Sequence, residues 1–300
     1  MHLSGSRPAV GKCSPDDTPP ALRMQLTKLH NGLSAYQFEL LADWPVEACV
    51  STRTGGVSEP PFDSLNFSTR RGDSEVAVGA NIERFSQACG FRRKDLVWAG
   101  QIRSDAVREA TDVHRGTRLA GTDGLVTSEV RLPLMTLYAD CVPIVIYDTM
   151  HHRLGVAHAG WQGTVKRIAE RLLQLLGRRY GTVPADCVAG LGPSIGPDSY
   201  EIGDDVIQLV RTTQDDAASL LRPSARAGRA YFDLWEANRR QLAAGGVPGD
   251  RIEVSGLDTA ALPDEFFSHR AARGRCGLFG MLCWLEPQSH RLHGNRGISL

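Results

Sequence analysis

Long apolar runs are missing from this 300-residue chain, in which no window approaches the roughly 18 consecutive apolar residues that a membrane-spanning helix needs. A soluble protein with no membrane partner is expected. An excess of either charge is missing as well. Lys plus Arg and Asp plus Glu number 34 each, so no chain-wide field draws in nucleic acid or an anionic lipid surface. Charge recognition therefore has to be local, and no nucleic-acid partner is expected. Cysteine pairing is the third absence. The seven cysteines, at positions 13, 49, 89, 141, 187, 276 and 283, are odd in number, scattered and without a CxxC pair. That excludes a secreted disulfide framework and a structural zinc ribbon, and it fits a reducing cytoplasm. No internal repeat has a fixed period, and no GxGxxG or GxxxxGK[ST] loop opens a helix.

What is present is the pattern of one folded domain. Hydrophobic residues make up 42% of the chain, enough for a large core. Residues 1–25, rich in Pro, Ser, Gly and Asp and lacking an apolar signal-peptide core, read as a flexible N-terminal extension. From about residue 35 short apolar stretches, AYQFELL and VEACVSTR, predict two strands that end in the turn-prone TGGVSEPPFDS. Val76, Val78, Ile82, Phe85 and Ala88 fall near helical spacing, which predicts a helix over 74–90 stopped by Gly90. LPLMTLYADCVPIVIYD, residues 132–148, predicts a buried strand pair broken at Asp140, Cys141 and Pro143, with RLGVAHAGWQG as a further strand. TVKRIAERLLQLLGRRYG predicts an amphipathic helix with Thr164 as N-cap. DLWEANRRQLAAGG predicts a second, with Asp233 and Glu236 in capping-box spacing. DCVAGLGPSIG reads as a strand and turn, the Ala/Arg/Gly-rich stretch 216–230 as a surface loop, and RIEVSGL and LFGMLCWL as the last strands, the latter central in a sheet. The fold class that follows is α+β, a single domain over 35–287 of mixed β-sheets flanked by helices, with 288–300 as a C-terminal tail.

Two residues stand out chemically. Cys141 lies in YADCVP and His158 in VAHAGW, 17 positions apart and too far for a local metal motif. A strand, a turn and a neighbouring strand would bring them together. A thiolate with an imidazole suits zinc or copper, and it also suits a nucleophile with its base. Against this, a Cys and a His in apolar strands are ordinary core residues. The loop Arg53-Thr54-Gly55-Gly56-Val57-Ser58 offers backbone donors and a guanidinium for an anion, or is a plain surface turn. Gly192-Pro193-Ser194-Ile195-Gly196-Pro197 is a rigid turn or a ligand-lining loop, while His114, His151 and His152 read as solvated loop residues.

Taken in order, STRTGGVSEPPFDSLNFS, GDSEVAVGANIERF, GTDGLVT, ADCVPIVIYD, VAHAGWQGTV, GLGPSIGPDSYEIGDDV, FDLWEANRRQL and FFSHR resemble the laccase-domain family across residues 46–285. These are purine nucleoside phosphorylase-like proteins once described as multicopper polyphenol oxidases. The resemblance implies a four-layer-like α+β fold and a small surface cavity that holds zinc, or copper in older descriptions, on two histidines and one cysteine. Cys141 and His158 match two of those metal ligands, whereas Gln101-Ile102-Arg103 stands where the third is carried. Arginine has no lone pair to give, so Arg103 cannot replace an imidazole as a ligand.

Catalytic residues implied by the resemblance are Cys141, His158 and Arg103, and substrate-binding residues are Arg53, Asn66, Gln162, Asp258 and His269. Three of these, Gln162, Asp258 and His269, also depart from the usual family residue. The implied activity is phosphorolysis of adenosine, inosine, guanosine or methylthioadenosine, with phosphate as co-substrate. Adenosine deamination is expected to be weakened by the lost metal ligand. A Cys141 hydrolase acting in peptidoglycan precursor editing and a non-catalytic paralogue that binds a nucleotide or partner are the alternatives. Either a monomer or a homodimer fits. Phenol oxidation fits least, since multicopper chemistry needs more histidines than nine scattered ones.

Overall fold

The computed structural model describes residues 24–288. The expected N-terminal extension and C-terminal tail lie outside the described residues, apart from Met24 and Gln25 at one end and residue 288 at the other. Three sheets form. The first has seven strands in the spatial order Gln25–Lys28, Ser34–Gln37, Val46–Ser51, Phe279–Leu285, Leu134–Tyr138, Val97–Gly100, Arg118–Ala120. A second has six, in the order Ile252–Val254, Cys187–Leu191, Val142–Asp148, Arg153–Ala159, Gly124–Thr127, Val107–Glu109. Glu201–Gly203, Arg229–Phe232 and Leu221–Pro223 make a small antiparallel third. Parallel and antiparallel neighbours mix in both large sheets, as the α+β reading expects.

Alternation along the strands determines how these layers stack. In Phe279–Leu285, Phe279, Met281, Cys283 and Leu285 enter the core between the two large sheets, while Leu282 and Trp284 face the helix Glu75–Ala88. Within Val142–Asp148, Val145 and Tyr147 enter that same inter-sheet core, while Val142, Ile144 and Ile146 pack against helices on the far side. Strands apolar on both faces are what a sheet buried on both sides requires. The resulting order is helix, sheet, sheet, helices, the four layers that the resemblance implies. As expected, Phe279–Leu285 is central in its sheet.

Helix boundaries show where local pattern was overridden. The single helix expected after HAGW is two, Trp161–Val165 and Ile168–Tyr180, separated at Arg167, whose φ of 63° is left-handed. Thr164 is consequently no N-cap. It is fully buried, its hydroxyl accepts from Asn238 Nδ2 at 2.9 Å, and its carbonyl accepts from Gln241 Nε2 at 2.8 Å. The stretch 216–230 is not a plain loop either. Ala217–Leu220 is helical, and Leu221–Pro223 and Arg229–Phe232 pair as strands, because Leu220 and Phe232 supply buried apolar anchors.

Leu234–Ala244 does start at the expected cap, with Asp233 Oδ1 accepting from Glu236 N at 2.9 Å. Glu236 turns its own carboxylate to Arg239 and Arg240 instead of back to the cap. Asp233→Ala is expected to cost about 1 kcal/mol of stability, read as a lower urea midpoint at unchanged slope. An unchanged midpoint would show that the cap contributes nothing.

Candidate active site

At one end of the sandwich the inter-sheet core opens into a cavity of about 960 Å³. His158 is delivered to it by strand periodicity. Leu154 and Val156 of Arg153–Ala159 face the inter-sheet core, so His158, two residues further, takes the same face where that core ends. Cys141 immediately precedes Val142–Asp148, whose antiparallel register sets Pro143 opposite His158. The 17-residue separation is thus closed by a hairpin, and both side chains line the cavity. The thiol packs against bare backbone, since a Cβ on Gly160 would stand 2.6 Å from Cys141 Sγ.

A third member of this array had no role assigned from sequence. Asp123, fully buried, precedes Gly124–Thr127, the other neighbour of the His158 strand. Its carboxylate accepts from His158 Nδ1 at 2.9 Å, and its carbonyl accepts from His158 N at 2.8 Å. The same carboxylate also accepts from Ile102 N at 3.1 Å, Arg103 N at 3.0 Å, and Ser104 N and Oγ at 2.8 and 2.7 Å. One buried anion therefore orients the imidazole and shapes the turn that carries Arg103, whose φ is 64°. Burial opposes the charge on His158, but the neighbouring Cys141 and the Asp123 carboxylate outweigh it and push the imidazole up to about 9. Burial likewise opposes ionisation of Asp123, and its bonds to His158 and Ser104 overcome that, leaving it well below the usual carboxylate range. Thiol, imidazole and orienting carboxylate thus meet at one place in the cavity wall.

Arginine dominates the walls. Arg70, Arg71, Arg93, Arg103, Arg118 and Arg270 all line the cavity, against the carboxylates of Glu75 and Asp140. Asp140 is already engaged, accepting from Thr259 Oγ1 at 2.7 Å and Arg270 N at 2.8 Å. Among the described residues none of the six makes an ion pair with a carboxylate. His269 lines the cavity among three of them. Burial and then the charges of Arg71, Arg103 and Arg270, only partly offset by Asp140, hold its imidazole below the usual value.

Of the residues expected at the site, Cys141, His158, Arg103 and His269 share the cavity, and Arg53, Asn66, Gln162 and Asp258 do not line it. Each of these four is placed elsewhere. The Arg53 guanidinium lies over Phe267, pairs with Asp63 at 3.1 Å and donates to Pro263 O, closing a loop instead of holding an anion. Asn66 is buried and ties Asp73, Ser68 and Leu278 together. Gln162 lies in the short helix Trp161–Val165, and Asp258 accepts from Ser199 Oγ and Ala260 N, joining two loops. Among the other histidines, His152 is not solvated as expected, being buried with its Nδ1 2.9 Å from Tyr147 Oη.

Zinc does not fit the donors present. Cys141 and His158 supply two, Arg103 has no lone pair, and among the described residues no three His, Cys, Asp or Glu are grouped so as to hold a metal ion.

The family model described as multi-copper polyphenol oxidoreductase laccase matches residues 47–286. The chain belongs to that family. Among its laccase-domain relatives is the purine nucleoside phosphorylase YlmD of Bacillus subtilis, 36% identical over 77% of this chain and 86% of its own. A purine nucleoside phosphorylase of Pseudomonas aeruginosa is 33% identical over 82% of this chain and 98% of its own. The crystal structure of YlmD from Geobacillus stearothermophilus superposes with a TM-score of 0.82 at 32% identity, covering 89% of this chain and all of that one. The laccase-domain fold expected from sequence is thereby established. No described helix is long and apolar enough to cross a membrane.

Proposed function

We propose that this laccase-domain chain is a purine nucleoside phosphorylase-type transferase that joins phosphate to C1′ of a purine ribonucleoside and releases the base. The observation that carries this reading is the convergence of Arg71, Arg103 and Arg270 around His269 in the cavity that also holds Cys141 and His158. Phosphorolysis asks little covalent chemistry of the protein. A phosphate oxygen bonds to C1′ as the C1′–N9 bond breaks, the electron pair leaves on the purine, and the purine takes a proton. Guanidinium groups that hold the phosphate beside an oxocarbenium-like ribose stabilise the charge that develops. In this reading His158, held by Asp123, relays the proton to the departing base. Adenosine, inosine, guanosine and methylthioadenosine are the proposed substrates, with adenosine deamination weak because it calls for a metal-activated water.

The test is to incubate the protein with adenosine, with and without phosphate, and to follow adenine, ribose 1-phosphate and inosine. Adenine and ribose 1-phosphate that appear only with phosphate support the reading. Rapid inosine formation contradicts the weak deamination, and adenosine left intact overturns the proposal.

The Cys141, His158 and Asp123 sequence favours one second reading, a hydrolase with Cys141 as nucleophile and His158 as base, on peptidoglycan precursors. Alkylation of Cys141 abolishes hydrolysis by that route, whereas phosphorolysis as proposed needs no covalent bond to sulfur.

A further inference from the structure

Beyond the Arg71, Arg103 and Arg270 group around His269, the same cavity is lined by a second cationic group, Arg70 and Arg118. Arg118, on the edge strand Arg118–Ala120, gives one N–H to Ala99 O at 3.2 Å and lies over the Trp98 ring at 5.0 Å. Arg70 approaches from the loop before the Glu75–Ala88 helix and gives one N–H to Gln101 O at 3.3 Å. A guanidinium has five N–H donors, so each keeps most of its donors for a ligand. The two carbonyls they bond are two residues apart, so both guanidinium groups stand at the end of the strand Val97–Gly100, where the charge of Arg70 adds to burial in disfavouring the charge on Arg118. Two like charges side by side with no carboxylate partner are destabilising until an anion sits between them.

The charge inventory points the same way. Six guanidinium groups face two carboxylates, one of them already bonded, and a phosphate group carries only about two negative charges. A neutral nucleoside with one phosphate leaves Arg70 and Arg118 uncompensated.

We infer that the preferred substrate is a purine nucleotide, whose own phosphate is clamped by Arg70 and Arg118 while Arg71, Arg103 and Arg270 hold the attacking phosphate. The inference rests on the phosphorolysis reading for the base, the ribose and the second anion. It adds nucleoside monophosphates to the proposed nucleoside substrates and makes them the tighter binders. Trp98 holds the Arg118 plane in place, and an arginine fork so fixed suits the tetrahedral phosphate better than a mobile lysine.

Calorimetric titration tests it, with adenosine and adenosine 5′-monophosphate as probes and inorganic phosphate present throughout to occupy the proposed site of the attacking phosphate. For the unaltered protein the monophosphate is expected to bind about tenfold or more tightly than adenosine. Arg70→Ala with Arg118→Ala should abolish that preference and leave adenosine affinity within about threefold, and Arg70→Lys with Arg118→Lys should recover part of it. Equal affinity for the two probes, failure of both to bind, or a preference that survives the double alanine change overturns the assignment. The adenosine assay above is scored separately. Phosphorolysis without nucleotide preference sinks only this inference, and nucleotide preference without phosphorolysis sinks the reading beneath it and leaves Arg70 and Arg118 as a phosphate clamp without that reaction.

Discussion

Asp123→Ala is expected to lower the unfolding free energy by about 3–5 kcal/mol, the range found when one partner of a buried charged pair is removed. It is also expected to slow the proposed glycosidic cleavage by about two to four orders of magnitude, the contribution typical of positioned proton transfer. Both effects have one origin. The carboxylate is fully buried and is shared by His158 Nδ1, three consecutive backbone N–H groups at Ile102, Arg103 and Ser104, and the Ser104 hydroxyl. Alanine strands all of them, and unpaired buried donors each cost about 1–3 kcal/mol unless water enters. The turn that bears Arg103 and the tautomer of His158 would be lost together. Asp123→Asn separates the two effects, because an amide keeps one acceptor oxygen for the turn while presenting N–H groups where an acceptor is required. Its stability should fall less than that of the alanine variant, with the rate loss remaining near the full value. Urea unfolding and initial-rate measurements on both variants decide the matter. A rate near that of the unaltered protein in Asp123→Asn would mean that orientation of His158 is irrelevant to turnover.

How far the site was legible in the chain follows from the same geometry. Cys141 and His158 could be paired from sequence because the chain between them spells strand, turn and strand, and a hairpin is a local object whose register brings its ends together. The layers were legible for a similar reason, since LFGMLCWL and LPLMTLYADCVPIVIYD are apolar on both faces, and only a sheet covered on both sides consumes such strands. Asp123 was visible as a residue in GTDGLVT, but its role was not. Its partners at 102–104 lie in the loop that leads into Val107–Glu109, the strand paired in parallel with Gly124–Thr127, and no local periodicity reports that pairing. The arginine walls were hidden for the same reason. Arg70, Arg103, Arg118 and Arg270 come from four separate segments, and a chain with balanced charge shows no basic run to mark them. Arg53 went the other way. A glycine-rich loop with a guanidinium reads as an anion cradle, yet Asp63, ten positions on, supplies the partner that consumes it, and DSLNFS carried that signal in plain view.

Arg103→His is the substitution with the largest expected gain. In the unaltered protein a guanidinium stands where the resemblance places the third metal ligand, so of the three implied ligand positions only Cys141 and His158 carry a donor, and among the described residues no third His, Cys, Asp or Glu is grouped with them to hold an ion. Two protein donors fall short of the three that catalytic zinc sites use, and a fixed positive charge beside them repels the ion. Histidine removes both obstacles at once. The backbone at this position is left-handed, with φ 64°, and histidine is among the residues that tolerate that region best, so the turn held by Asp123 should persist. Mass-spectrometric metal analysis after extensive dialysis is expected to find about one zinc per chain in the variant and far less in the parent. Chelator treatment should lower the melting temperature of Arg103→His while leaving that of the parent unchanged, because only a bound ion stabilises by mass action. In the proposed phosphorolysis, removing the Arg103 guanidinium should at the same time raise the KM for phosphate, an effect independent of metal. Stoichiometric, dialysis-resistant zinc in the parent would show that another group completes the ligand set and that Arg103 is no obstacle. An Arg103→His protein that is folded but takes up no zinc would show instead that Cys141 and His158 are too far from this position to share an ion with it.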